Sequence, residues 1–192
     1  MQFKSIIGQK ELISNLISSF KENRVAHTQL FLGGEGYGPL PLAIAFSQFL
    51  LCINKQSDDS CGVCPSCKKF DKYAHPDLHF YFPTATNQTI KKNPKSSFAM
   101  DVWRNYLVEN NAYITLNGWL ENLGVGNKQG YLRKDDANEI IGQVALKAFE
   151  GSYKIFIIWM VDKMNEPAAN KLLKTFEEPP KNTIIILITE KY

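Results

Sequence analysis

The sequence has no long hydrophobic run and little excess of charge of either sign. The longest strongly apolar run, from Ile155 to Val161, has seven residues, whereas a helix needs about 20 to cross a bilayer. The formal net charge is only +3, which excludes a surface that binds a polyanion on all sides but leaves a local DNA-binding patch open. The N-terminus also lacks the apolar stretch and cleavage site of a secretory signal. We therefore expect a cytoplasmic protein without a membrane span.

The composition is that of a folded protein. The 192 residues are 44% hydrophobic, 12% aromatic and 21% charged, which excludes extended disorder. A chain of this length can bury about 70% of its unfolded surface and forms one large or two small domains.

Helical and strand patterns alternate along most of the chain. This alternation predicts an α/β fold, a sandwich around a central parallel sheet. The predicted helices are an amphipathic one within 5–20 and others over 39–51, 135–149 and 166–178. The predicted strands are 29–32, 154–161 and 183–189. The region 80–134 interrupts the alternation, so we interpret it as an insertion.

A glycine-rich loop follows the first predicted strand. Gly33, Gly36 and Gly38 lie within a segment that matches the first six positions of the phosphate-binding pattern G-x-x-x-x-G-K-[ST]. Pro39 stands in place of the lysine that meets the β- and γ-phosphates, and Leu40 in place of the hydroxyl that binds magnesium. Pro39 also lacks a backbone N–H. We therefore interpret the glycines as serving a tight turn rather than binding a nucleotide.

The end of the predicted strand over 154–161 also indicates that the chain does not bind and hydrolyse a nucleotide. In phosphate-loop NTPases, this strand ends in an Asp that orients magnesium, commonly followed by a Glu that activates water. Trp159 and Met160 hold those two places here, and neither side chain can bind a metal or act as a base. Asp162 comes three positions late, about 10 Å along an extended chain. The loss of four groups at two motifs predicts a chain without ATP hydrolysis.

All four cysteines are close together in the sequence. Cys52, Cys61, Cys64 and Cys67 have the pattern C-x8-C-x2-C-x2-C. Thiols of an intracellular protein more often bind metal than form disulfides, and the two-residue gaps suit tetrahedral zinc. Four thiolate ligands leave no open position, so we predict a structural zinc in a small module over 52–79. Unligated buried thiols and a redox pair are the alternatives.

The remaining polar residues give weaker signals. His27, His75 and His79 have no partner at a catalytic spacing, so packing or capping is their expected role. The region 80–134 has seven Lys or Arg against three Asp or Glu. Its apolar residues between Phe98 and Leu107 recur at helical spacing, which favours a small helix packed on the body. Contact with a partner subunit and contact with DNA are the alternatives.

Several segments together resemble the AAA+ module of bacterial clamp-loader subunits. The segments that carry the resemblance are Ile7–Gln9, Arg24–His27, the glycine loop, the cysteine motif and Asp162–Pro180. They cover about residues 1–79 and 135–190; the aromatic-rich stretch between them departs from the family pattern. The resemblance implies a P-loop-type three-layer sandwich over 1–192 with an inserted zinc module.

Within that family, the motor subunits keep the lysine and the acidic strand end. The resemblance therefore implies a non-hydrolysing scaffold subunit with neither ATPase nor polymerase activity of its own. Its implied partners are the other subunits of the loader ring and, through the complex, the sliding clamp and primed DNA. It also implies that an arginine in a Ser-Arg-Cys motif would come after Thr189, and that the helical lid and C-terminal collar are absent from this chain.

Two other functions stay open at this point. An ATP-hydrolysing motor subunit would need a replacement cation such as Lys163. A zinc-dependent nucleic-acid-binding module would use Lys68, Lys69 and Lys72 beside the cysteines.

Overall fold

The computed structural model describes residues 1–191, in which four parallel strands form one sheet. The strands are β1 (Thr28–Leu32), β2 (Leu78–Tyr81), β3 (Lys154–Trp159) and β4 (Thr183–Thr189). Their order across the sheet is β1-β4-β3-β2. In the register, Ile157 of β3 lies opposite Ile186 of β4 and Phe80 of β2. Every residue of β3 is buried, as expected of a central strand covered on both faces.

Helices cover both faces of the sheet. The seven α-helices of the described chain are α1 (Lys10–Lys21), α2 (Pro39–Leu51), α3 (Pro65–Phe70), α4 (Met100–Glu109), α5 (Leu116–Asn122), α6 (Lys134–Val144) and α7 (Glu166–Glu177). Short 3₁₀ turns occupy Phe3–Ser5, Ser96–Ala99 and Val161–Lys163. No helix within residues 1–191 is long and apolar enough to cross a membrane.

The core has two parts, one on each face of the sheet. Ile155 and Ile157 point toward α1, α2, α4 and α5, whereas Phe156 and Ile158 point toward α6 and α7. This alternation follows from the two-residue period of a strand. The predicted three-layer α/β sandwich with a central parallel sheet is therefore confirmed.

The sequence patterns do not predict strand β2. This strand also crosses the predicted boundary between the cysteine module, which ends at residue 79, and the insertion, which begins at residue 80. Its four residues give too short a pattern to detect, because His79 interrupts the apolar residues. His79 stacks on Phe156 with ring centroids 4.8 Å apart. Burial lowers its pKa to about 4, and the positive charge of Lys154 acts in the same direction.

Helix α6 is shorter than predicted. It ends at Val144 rather than Phe149, because the Lys154 ammonium donates to the carbonyl oxygen of Gln143 at 2.7 Å and satisfies the helix end. Leu146 and Phe149 are consequently exposed.

The region 80–134 packs on the body of the domain. Trp103 of α4 and Trp119 of α5 are fully buried, and the Trp103 ring lies 5.2 Å from that of Trp159. Phe98, in contrast, points to solvent. The predicted packing of a small helix in this region is confirmed for Trp103 and Leu107.

Candidate metal centre and phosphate-loop region

Three local structures bring the four cysteines together. Cys52 follows the last residue of α2, where the helix gives way to extended backbone. Cys64 caps the N-terminus of α3, and its Sγ accepts the backbone N–H of Cys67. Cys61 lies in the loop between these helices, and its N–H donates to Cys52 Sγ at 3.3 Å. The cluster is therefore held by backbone that already orients the sulfur atoms.

The distances between the sulfur atoms match a tetrahedral site. All four Sγ atoms lie within 4.8 Å of one another. Cys52 Sγ is 3.6 Å from Cys61 Sγ and 3.9 Å from Cys64 Sγ, and the pair Cys61 and Cys67 is 4.0 Å apart. A zinc ion with bonds of about 2.3 Å holds its sulfur ligands about 3.8 Å apart. All four thiols are free, so this cluster can hold a metal ion.

The thiols have unequal acidities. Burial acts to raise the pKa of Cys64, but the backbone N–H groups of Cys67 and Ile53 and the neighbouring thiols outweigh it and lower that pKa to about 6. Burial raises the pKa of Cys67, and its neighbours Cys64 and Cys52 raise it further. Cys64 is therefore the thiol of this cluster that ionises more readily than Cys67.

A polar network ties the cysteine module to the start of the sheet. His75 Nδ1 accepts the N–H of Asp77 at 3.1 Å, so the neutral ring carries its proton on Nε2, which lies 3.2 Å from Glu150 Oε1. Burial lowers the pKa of His75 and keeps the ring neutral. Glu150 also pairs with Lys69 of α3. No local sequence pattern predicts this network, because 73 residues separate Asp77 from Glu150.

Asp77 is the centre of that network. Its carboxylate is buried and accepts the backbone N–H groups of Phe149, Glu150 at 2.9 Å and Gly151 at 2.7 Å. Burial alone would raise the pKa of Asp77, but these three donors lower it overall. The carboxylate therefore fixes the turn that leads into β3.

The glycine loop joins β1 to α2 as predicted. Gly36 and Gly38 have φ angles of +84° and +72°, and Gly38 is the N-cap of α2. Pro39 occupies the first turn of the helix, where its missing N–H costs nothing. The Leu40 side chain is buried in the core. These two glycines therefore have the positive φ angles that a tight turn between strand and helix requires.

The end of β3 offers no carboxylate toward the loop. Trp159 is buried against the aromatic rings of the region 80–134, and Met160 leaves the strand with a left-handed φ of +56°. The nearest acid in sequence, Asp162, accepts the Thr189 hydroxyl at 3.1 Å. The side chains at positions 39, 40, 159 and 160 thus supply none of the cation, hydroxyl or carboxylates that Mg-ATP requires.

Two carboxylates, Glu35 and Glu190, line the cavity in front of the loop. Burial raises the pKa of Glu190, and the negative charges of Glu35 and Asp162 raise it further, whereas Lys163 and Lys191 act in the opposite direction. Lys163, the candidate replacement cation, lies 3.5 Å from Asp162. A triphosphate placed in this cavity would meet the carboxylates of Glu35 and Glu190.

A protein-family model described as DNA polymerase III, delta subunit, matches residues 8–192. The chain belongs to this family of clamp-loader subunits. Among its curated relatives, it is 25% identical over 183 residues to DNA polymerase III subunit delta' of Bacillus subtilis, covering 95% of this chain and 42% of that protein. It is equally 25% identical over 187 residues to subunit tau/gamma of Haemophilus influenzae, covering 97% of this chain and 21% of that protein.

A solved structure shares the fold. A gamma-subunit-related protein of DNA polymerase III from Thermotoga maritima superposes with a TM-score of 0.52 at 15% identity, covering 93% of this chain and 39% of that one. The chain therefore spans about a fifth to two fifths of the length of these family relatives. Relatives of both the delta' and the tau/gamma type match it.

Proposed function

We propose that this chain is the AAA+-like part of a non-hydrolysing delta-prime subunit, a scaffold in the clamp-loader ring that loads the sliding clamp onto primed DNA. The observation that carries the proposal is the combination of Pro39 and Leu40 on the loop with Trp159 and Met160 at the end of β3. Motor subunits need a lysine, a hydroxyl and carboxylates at these places to bind and hydrolyse ATP. The domain over 1–192 is then a degenerate nucleotide-binding domain.

In this proposal, the chain acts through other proteins. Its partners are the other subunits of the loader and, through the assembled ring, the sliding clamp and primed DNA in the cytoplasm. The chain itself contributes neither ATPase nor polymerase activity, and it needs no ATP as a cofactor.

The cysteine module has a separate role in the proposal. Cys52, Cys61, Cys64 and Cys67 hold one structural zinc ion in a module over 52–79, because their sulfur atoms already have the spacing of a closed tetrahedral site. Elemental analysis after purification without chelator should give one equivalent of zinc. Zinc far below one equivalent, unchanged in Cys64→Ser, would contradict this assignment.

The scaffold role can be tested by assembly and calorimetry together. The chain is titrated with Mg-ATP and then mixed with tau/gamma-type loader subunits. We expect no heat that corresponds to a dissociation constant below about 1 mM, since charge-assisted phosphate contacts are missing, and co-elution with the other subunits. Micromolar binding of Mg-ATP would favour the motor-subunit alternative, which the tau/gamma relatives keep open.

A further inference from the structure

The side chain of Tyr113 lies directly on the glycine loop. A Cβ atom added to Gly38 would come within 2.9 Å of Tyr113 Cε1. The other end of the tyrosine is also held, because its hydroxyl accepts the backbone N–H of Ile7 at 3.0 Å. The ring therefore bridges the loop and the segment before α1. It comes from the region 80–134.

The backbone before Tyr113 is strained in a way that delivers this ring. Asn111 and Ala112 both have left-handed φ angles, of +49° and +59°. Two successive non-glycine residues in this conformation are costly, above all the alanine, which has no polar side chain to compensate. Ala112 is nevertheless completely buried, and its N–H donates to the carbonyl oxygen of Leu107 at 2.8 Å. The strained turn thus has a fixed geometry that points Tyr113 at the loop.

The space left in front of the loop is small. The cavity there has a volume of about 140 Å³ and is lined by loop residues, by the turn 112–115, by Trp159 and Met160, and by Glu190. Ligand sites for small molecules commonly have about 300–1,000 Å³. The turn 112–115 itself forms one wall of this cavity.

We propose that the turn 112–115 is an intramolecular plug of the former nucleotide cleft, with Tyr113 in the space before the glycine loop that phosphates would take. The cleft is then closed by the protein's own chain, and it also lacks the side chains that would bind phosphate and magnesium. This inference deepens the proposed non-hydrolysing function and rests on it. Unlike that proposal, it assigns part of the loss of nucleotide binding to a residue that lies outside both the glycine loop and the end of β3.

The first test is amide hydrogen exchange over residues 34–40 of this chain. Replacing the ring in Tyr113→Ala should speed exchange at Gly38 and Leu40, two buried residues that line the cavity, at least fivefold, because these amides lose their cover. Tyr113→Phe keeps the ring and should leave them protected. Tyr131→Ala, which removes an exposed tyrosine of the same region that does not line the cavity, is the control. Unchanged exchange in Tyr113→Ala would overturn the plug.

The second test restores the missing ligands. The loop-restored variant carries Pro39→Lys and Leu40→Thr, and calorimetry measures its affinity for Mg-ATP with and without Tyr113→Ala. We expect binding to be at least tenfold tighter when Tyr113 is also replaced, and no tighter when Tyr131 is replaced. Micromolar binding by the loop-restored variant with Tyr113 intact would overturn the plug alone. Micromolar binding by the unaltered chain would overturn the proposed function as well.

Discussion

The side of the sheet where the parallel strands end (the carboxyl edge) and the side where they begin (the amino edge) differ in the side chains that stabilise them. Helix α2, about 20 Å long, runs from the glycine loop at the carboxyl edge to Cys52 at the amino edge. At the amino edge, four thiols form a closed cluster and Asp77 satisfies three backbone donors. At the carboxyl edge, the positions that would bind a nucleotide hold Pro39, Leu40, Trp159 and Met160. The amino edge thus carries a cluster of polar and thiol side chains, whereas these four positions at the carboxyl edge are apolar.

If the amino edge depends on its ligands, removal of one thiol should have the largest effect. Cys67→Ser removes a fully buried thiol of the cluster, and we expect the free energy of unfolding to fall by about 4 kcal/mol or more, with loss of bound zinc. Urea unfolding followed by circular dichroism measures the change. Val63→Ser, at an exposed position of the same module, should change it by less than about 0.5 kcal/mol. If Cys67→Ser has the same stability and zinc content as the unaltered chain, the amino edge does not depend on its thiols and the comparison of the two edges fails.

The Asp77 network should come second. Asp77→Asn keeps the size of the side chain but replaces one accepting oxygen by a donor that faces backbone N–H groups. Charge-assisted hydrogen bonds are lost at a buried site, so we expect a loss of about 3 kcal/mol. The same urea experiment compares it with Asp58→Asn, an exposed carboxylate of the cysteine module. A loss no larger than that of Asp58→Asn would show that the turn into β3 does not need the carboxylate.

A pH titration sharpens the comparison further, because His79 lies on β2, which starts at the amino edge. Its pKa is lowered to about 4 in the folded chain, so protonation favours the unfolded state. Stability should be complete above about pH 6.5 and fall as the pH drops to 4, by about 3 kcal/mol. His79→Phe keeps the ring stacking and removes the titration, so its decline over this range should be smaller. Parallel curves for the two proteins would contradict the assignment.

The smallest effect is expected at the carboxyl edge of the unaltered chain. With 1 mM Mg-ATP and a dissociation constant no tighter than about 1 mM, the stabilisation is at most about 0.4 kcal/mol. This corresponds to a shift of the thermal midpoint below about 2 °C for a domain of this size. Differential scanning calorimetry with and without Mg-ATP gives the value. A shift above about 5 °C would show that this edge still binds nucleotide.

The parts of the fold that sequence patterns predict are those with local signals. The predicted helix over 39–51 and strand over 183–189 coincide with α2 and β4, because a proline start and a long apolar run are visible within the segment itself. Strand β2 has only four residues, and its burial depends on helices that come later in the chain. Short-range patterns therefore could not identify it.

The candidate site also has one part that the sequence predicts from local signals and other parts that depend on residues far apart in the chain. The spacing of the cysteines predicts their cluster, because all the ligands lie within 16 residues. The contact of Tyr113 with Gly38 joins residues that are 75 apart in the sequence, so no local pattern predicts it. The consecutive Asn110 and Asn111 indicate only that a turn precedes Tyr113. The Asp77 network is equally non-local, since its three donors belong to a turn after α6.

The arrangement of the aromatic residues determines what optical spectroscopy can observe in this protein. The chain has three tryptophans, and Trp119 and Trp159 both lie about 5 Å from Trp103, at ring-centroid distances of 4.9 and 5.2 Å. Rings this close exchange excitation energy and emit as one unit. Tryptophan fluorescence therefore reports on the junction between the region 80–134 and the carboxyl edge of the sheet, and the cysteine module, which has no tryptophan, could open without changing this emission.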